Sequence, residues 1–172
     1  YRGTYYLCEK AEIKSGRVEI TDLEDEIDDV NGDTDLDALP TAQSKNSYGY
    51  SYQYVQGVKD PSDITGGYLL ELDRAWYKSE KCWFDTKYGI FVVKGPEVCS
   101  QKSMKYISEY VQQALNNLDA GKFNDGNSFD LDSFAKTYLV SEFMKNVDAF
   151  NTSTYFYKDK GASPIVAAPL WD

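Results

Sequence analysis

Asp148, Asn151 and Asp172 are the oxygen-bearing side chains whose spacing could do chemistry. The first two stand in Asn146-Val147-Asp148-Ala149-Phe150-Asn151, where a helical pattern gives out. The third closes Pro169-Leu170-Trp171-Asp172, after two short apolar runs. In phosphoryl transfer one Asp orients and deprotonates the acceptor hydroxyl, while an Asn and a second Asp hold metal ions. Asp148 is thus the candidate catalytic acid–base group, and Asn151 and Asp172 are the candidate metal ligands. Trp171, beside Asp172, is an aromatic that can pack or stack against a nucleotide. The plain alternative is a helix C-terminus followed by a hairpin, because acids are common in loops.

The elements that must position these residues are legible. A helix is expected from about Leu131 to Val147, with Asp130 or Asp132 as N-cap. Phe134, Tyr138 and Ser141 share one of its faces, and Glu142 and Asn146, four apart, lie one above the other. Strands are expected at about Ser153–Lys158 and Ile165–Ala168. A hairpin of about 20 residues can return the chain to the edge it left, since hairpin strands lie side by side. Carboxylates gathered at a helix C-terminus are unfavourable without a cation, because the dipole there is also negative. Asp148, Asn151 and Asp172 are therefore predicted to converge on one cleft near Trp171.

Upstream, Thr4–Ile13 and Arg17-Val18-Glu19-Ile20 read as strands around Ser15-Gly16. The acidic stretch Asp22–Asp37 and the Ser-, Gln-, Gly- and Tyr-rich stretch Thr41–Lys59 read together as a long insertion, residues 24–63, that leaves the fold. Tyr68–Asp73 is a strand opened by Gly66-Gly67. Cys82–Thr86 and Ile90–Lys94 form a hairpin across Lys87-Tyr88-Gly89, which Gly95-Pro96 breaks. Met104, Ile107, Val111, Leu115 and Leu118 form a helical stripe from about Ser100 to Leu118. Strands, then helices, then strands give an α+β class: a small antiparallel sheet followed by two helices and a closing β-hairpin.

Composition narrows the function. The 172 residues suit one domain, and 42% hydrophobic content supports a sizeable core. Tyrosine is abundant, at 15, which points to a half-exposed aromatic surface. A net charge of −10 argues against nucleic-acid or anionic-membrane partners. The chain has no histidine, so Ser-His-Asp and Cys-His catalysis and His-ligated metals are excluded. Hard ions such as Mg²⁺, Mn²⁺ or Ca²⁺ remain. Cys8, Cys82 and Cys99 lack metal spacing; Cys82 and Cys99 flank the hairpin and can pair or stay free. No segment is apolar and long enough to span a membrane. The apolar run up to Asp172 and the strand-like start at Tyr1 are read as the ends of an excised fragment.

Three further patterns are weaker. Asp29, Asn31, Asp33 and Asp35 imitate the first half of a calcium loop, but Thr34 stands where Gly is needed and Pro40 where a bidentate acid is needed. A solvated acidic loop is the better reading. Gly66-Gly67 lacks the Lys-Ser/Thr of a P-loop and no helix follows, so it reads as a strand entry. Glu71 and Asp73 share a strand face and are read as solvent-facing.

Taken together, several ordered segments resemble the spore-coat protein H (CotH) kinase-like family. They are Tyr1-Arg2-Gly3-Thr4-Tyr5-Tyr6-Leu7-Cys8-Glu9-Lys10, Arg17–Leu23, Gly66–Asp73, Gly89–Glu97, Asn146–Phe150 with Ser153–Asp159, and Pro169–Asp172. They span nearly the whole chain and match least over Glu24–Asp63. The resemblance implies an atypical protein-kinase-like fold that binds ATP and Mg²⁺ and phosphorylates Ser or Thr on a protein substrate. It implies a spore-coat, secreted or cell-surface setting, in some members beside cellulosome-type dockerin modules. Asp148 falls where the family's catalytic Asp is sought, and Asp172 begins its Trp-Asp-x-Asp-like metal motif. The upstream Arg-Gly-Asn-like segment and the motif's second Asp are not in this sequence, so a partial domain, inactive on its own, is expected. The competing expectation is a non-catalytic surface or cellulosome-associated binding module, its tyrosines contacting sugar or protein.

Overall fold

A computed structural model describes residues 10–122 and 128–170. The class is α+β: seven strands form one antiparallel sheet, with three helices. The strands are β1 (Thr41–Lys45), β2 (Ser51–Val55), β3 (Tyr68–Leu72), β4 (Trp83–Thr86), β5 (Gly89–Gly95), β6 (Thr154–Lys158) and β7 (Val166–Ala167), ordered β1-β2-β4-β5-β3-β6-β7. The helices are α1 (Leu23–Asn31), α2 (Gln101–Asp119) and α3 (Leu131–Met144).

The expected β4–β5 hairpin forms, with Phe84 opposite Phe91. So does the closing β6–β7 hairpin, but it does not stand apart. β6 pairs with β3 along its whole length, Leu70 opposite Phe156. β3 is thereby buried between β5 and β6, which suits its nearly unbroken apolar run Tyr68-Leu69-Leu70.

α2 begins where its stripe predicts. Ser100 is the N-cap, its hydroxyl accepting the Ser103 N–H at 3.1 Å. Met104, Ile107, Val111 and Leu115 pack into one core with Leu70, Phe84, Val93 and Phe156.

The 24–63 stretch is where the structure departs from expectation. It does not leave the fold. Asp22 caps α1, Leu23 and Ile27 enter the core one helical turn apart, and β1 and β2 add two strands to the sheet. Tyr52 and Val55 of β2 are core residues. Asp60 then fastens the stretch to the start of α2, accepting from the hydroxyls of Ser100 at 2.7 Å and Ser103 at 2.6 Å. A carboxylate is favourable there because the helix N-terminus is electropositive.

The N-terminal strands differ as well. Residues 4–9 lie outside the described residues. Lys10–Ala11–Glu12 are not a strand, and Ile13 and Val18 form an isolated bridge. Ile13 nevertheless packs against Gly95 of β5, where a Cβ on that glycine would stand 2.9 Å from its side chain.

Gly66-Gly67 is more than a strand entry. A Cβ on Gly66 would stand 2.0 Å from the Asp159 and Lys160 backbone, and one on Gly67, at φ +87°, 2.7 Å from Thr21 and Leu23. The pair is required because two segments cross β3 there in van der Waals contact.

Candidate functional site

α3 leads into the turn that carries Asp148 and Asn151. Asp130 caps α3 by accepting the N–H groups of Asp132 and Ser133. The helix ends at Met144, three residues before the predicted Val147, because Lys145 turns into the left-handed region at φ 55°. The Asn146 N–H then donates back to the Ser141 carbonyl at 2.9 Å. Helix exits commonly close in this way.

The turn that follows is held by its own side chains. The Asn146 Oδ1 accepts the Asp148 N–H at 3.0 Å. The Asp148 carbonyl accepts the N–H groups of Asn151 at 3.0 Å and Thr152 at 3.3 Å. The Thr154 hydroxyl accepts the Phe150 N–H at 3.0 Å and donates to the Thr152 carbonyl. Phe150 and Ser153 both have positive φ, 60° and 48°. For a bulky residue such as Phe this conformation is strained and persists only where the surroundings enforce it.

Asp148 is exposed and lines a cleft of about 80 Å³. α3 supplies one wall through Val140, Ser141 and Met144; Tyr155 of β6 and the Pro169-Leu170 segment supply the other. Leu170 leads directly into Trp171 and Asp172, which lie outside the described residues.

Asn151 is in the same turn but does not line the cleft. Its carboxamide oxygen lies 3.5 Å from Arg74 Nη1. The structure thus brings Asp148 to the cleft wall and Asn151 to a neighbouring rim shared with the end of β3. Arg74 escaped the sequence reading; its signal was a basic residue at a strand end, directly after Asp73, in an acidic chain.

The described residues do not by themselves make a metal site. Among them, no group of three His, Cys, Asp or Glu side chains could hold an ion. Asn31, from the calcium-loop pattern, is buried in α1, its amide donating to the carbonyls of Ile27 and Lys59. Glu71 and Asp73 are not solvent-facing as expected. Burial pushes the Glu71 carboxyl up, opposed by Lys94, whose ammonium is 3.9 Å away. Asp73 is buried and accepts the N–H groups of Ala75 and Trp76. Cys82 and Cys99 are buried free thiols at the β4–α2 junction. A second cavity of about 190 Å³, lined by Leu70, Phe91, Leu115, Phe129, Phe134 and Phe156 among others, presents only apolar surface.

No helix among the described residues is long and apolar enough to cross a membrane. No protein-family model matches the chain, and neither a curated protein nor a solved structure matches it.

Proposed function

We propose that this chain carries the acid–base residue of an ATP- and Mg²⁺-dependent protein Ser/Thr kinase-like domain, of CotH type, in a secreted or surface protein. The supporting observation is the placement of Asp148. It stands at the wall of a small cleft, in a turn strained at Phe150 and Ser153 and fixed by hydrogen bonds that Asn146 and Thr154 accept from its backbone. Such strain is retained where geometry matters.

In this reading Asp148 accepts a hydrogen bond from the acceptor hydroxyl, aims its oxygen at the γ-phosphorus, and takes the proton as the new O–P bond forms and the bond from that phosphorus to the bridging oxygen breaks, ADP leaving with the electron pair. A bound Mg²⁺ would neutralise charge on the transferring phosphoryl group; its ligands would be Asp172, outside the described residues, and Asn151. The test is phosphate transfer from radiolabelled ATP to a protein acceptor by the full-length protein and its Asp148→Ala variant. Loss of transfer on substitution is expected. Undiminished transfer by the variant rejects the role.

The second reading is a non-catalytic surface or cellulosome-associated binding module. The exposed aromatic side chains favour it: Trp76 is 76% exposed, and Tyr48, Tyr88 and Tyr138 also face solvent. Aromatic faces of this kind stack on sugars and proteins. Retention on polysaccharide, lost on Trp76→Ala, with no phosphate transfer by the wild type, would select it.

A further inference from the structure

We propose that Arg74 is the cationic contact for a phosphate oxyanion on the rim next to the Asp148 cleft, an inference that rests on the phosphoryl-transfer reading. A chain of net charge −10 repels a polyphosphate unless a cation is placed where the phosphates arrive. Arginine suits that task, since its planar fork of donors matches a phosphate.

Four features hold this guanidinium in place. Asp73 fixes the backbone at the end of β3, its carboxylate accepting the Ala75 N–H at 2.8 Å and the Trp76 N–H at 2.9 Å. Arg74 Nη2 donates to the Tyr88 carbonyl at 3.0 Å. The head lies across Gly89, where an added Cβ would stand 3.3 Å from Nε. On its other side Nη1 faces the Asn151 carboxamide oxygen. Asn151 in turn donates its N–H to the Asp148 carbonyl, so the guanidinium is one turn from the proposed base.

The charge is also uncommitted. Lys81, Lys87, Lys94, Lys136 and Lys160 each have a carboxylate within ion-pair distance. Among the described residues, Arg74 has none, as is also true of lysines such as Lys14, Lys45 and Lys78; what sets Arg74 apart is that its head is held by Tyr88, Gly89 and Asn151. A preorganised cation without a counter-ion, beside a candidate acid–base residue, suits an anion that arrives with the ligand.

The experiment is calorimetric titration of inorganic tripolyphosphate, ATP and adenosine into the full-length protein and its Arg74→Ala, Arg74→Lys and Gly89→Ala variants. Arg74→Ala should weaken tripolyphosphate and ATP about tenfold, since one charge-assisted hydrogen-bond set is lost. It should flatten their salt dependence and leave adenosine unchanged. Arg74→Lys should recover part of the affinity, and Gly89→Ala, which displaces the fork, should lose part. Tripolyphosphate binding by Arg74→Ala equal to wild type overturns the proposal, as does no tripolyphosphate binding by the wild type. Asp148→Ala separates the two ideas. If it abolishes transfer while Arg74→Ala binds normally, only Arg74 is misassigned. If Arg74→Ala loses tripolyphosphate while Asp148→Ala still transfers, the phosphate contact stands and the base does not.

Discussion

The Lys158 ammonium lies 4.4 Å from the centre of the Tyr110 ring and donates to the carbonyls of Thr65, Asp159 and Gly161 at 2.6, 2.9 and 3.0 Å. Lys158 is fully buried at the end of β6. It ties the closing hairpin to the loop entering β3 and to α2, and every donor of its head has a partner.

Burial pushes this ammonium down to about 8. The unfolded chain holds the proton to about 10.4, so between those values it binds more protons than the folded chain, and stability rises with pH. Lys158 by itself contributes a gain of about 2 kcal/mol as pH goes from about 7.5 to about 9.5, at roughly 1.4 kcal/mol per unit discounted for partial titration. Cys99, whose thiol is pushed well above its usual range by its hydrogen bond with Cys82 and by burial, opposes it in the same window, because the unfolded thiol ionises first. At higher pH Tyr106, pushed up to about 12 by burial, acts in the opposite sense, because the unfolded tyrosine ionises first. Urea unfolding of the wild type and of Lys158→Met at the two pH values isolates the Lys158 contribution: the change in stability between the two pH values should be more positive in the wild type by about 2 kcal/mol. Equal pH responses of the wild type and Lys158→Met would contradict this account.

Asp148→Ala in the full-length protein should lower phosphate transfer by about 10² or more, the usual contribution of a positioned base. Asp148 is exposed and its backbone makes the turn's hydrogen bonds, so unfolding free energy should change by less than about 0.5 kcal/mol. Transfer kinetics paired with urea unfolding separate a lost base from a lost fold.

Gly66→Ala should destabilise by roughly 3 kcal/mol or more, because the clash is with backbone that cannot rotate away. Gly161→Ala offers a control: nothing lies within 4 Å of its Cβ position, so only the strain of φ +72° opposes it. Midpoints of thermal unfolding should fall much further for the first. Equal falls would mean that strain, not the crossing at β3, is the constraint.

Phe143 and Met144 are 84% and 67% exposed at the end of α3, and Leu139 one turn before and Val147 in the following turn are exposed too. A patch of this kind promotes association. Replacing Phe143 and Met144 with Lys should reduce self-association and dye binding by the 172-residue chain without lowering its stability by more than about 0.5 kcal/mol. Light scattering and unfolding curves provide the check.

Periodicity was informative where a segment had one apolar face. α2, the β4–β5 hairpin and β6 followed from local spacing, because each satisfies itself or its sequence neighbour. α1 was concealed by charge: Leu23 and Ile27 are the helical pair, but the acids around them read as a loop. β1 and β2 were concealed by polarity, for β1 is an edge strand of Thr, Ala, Gln, Ser and Lys with alternating partial exposure. At the site, spacing placed Asp148 and Asn151 in one turn but could not show which way each faces. Arg74 is distant in sequence from both, and only the pairing of β3 with β6 makes it their neighbour.

That pairing also sets the order in which the chain can fold. β3 is a central strand, yet its partner β6 follows β4, β5 and both long helices in sequence. During synthesis the first eight helices and strands can assemble while one whole side of Tyr68–Leu72 stays unpaired. Such a pairing has high contact order and closes late. The emerging chain therefore carries an apolar, open-edged strand for much of its translation, the kind of surface that chaperones bind and that neighbouring chains can capture.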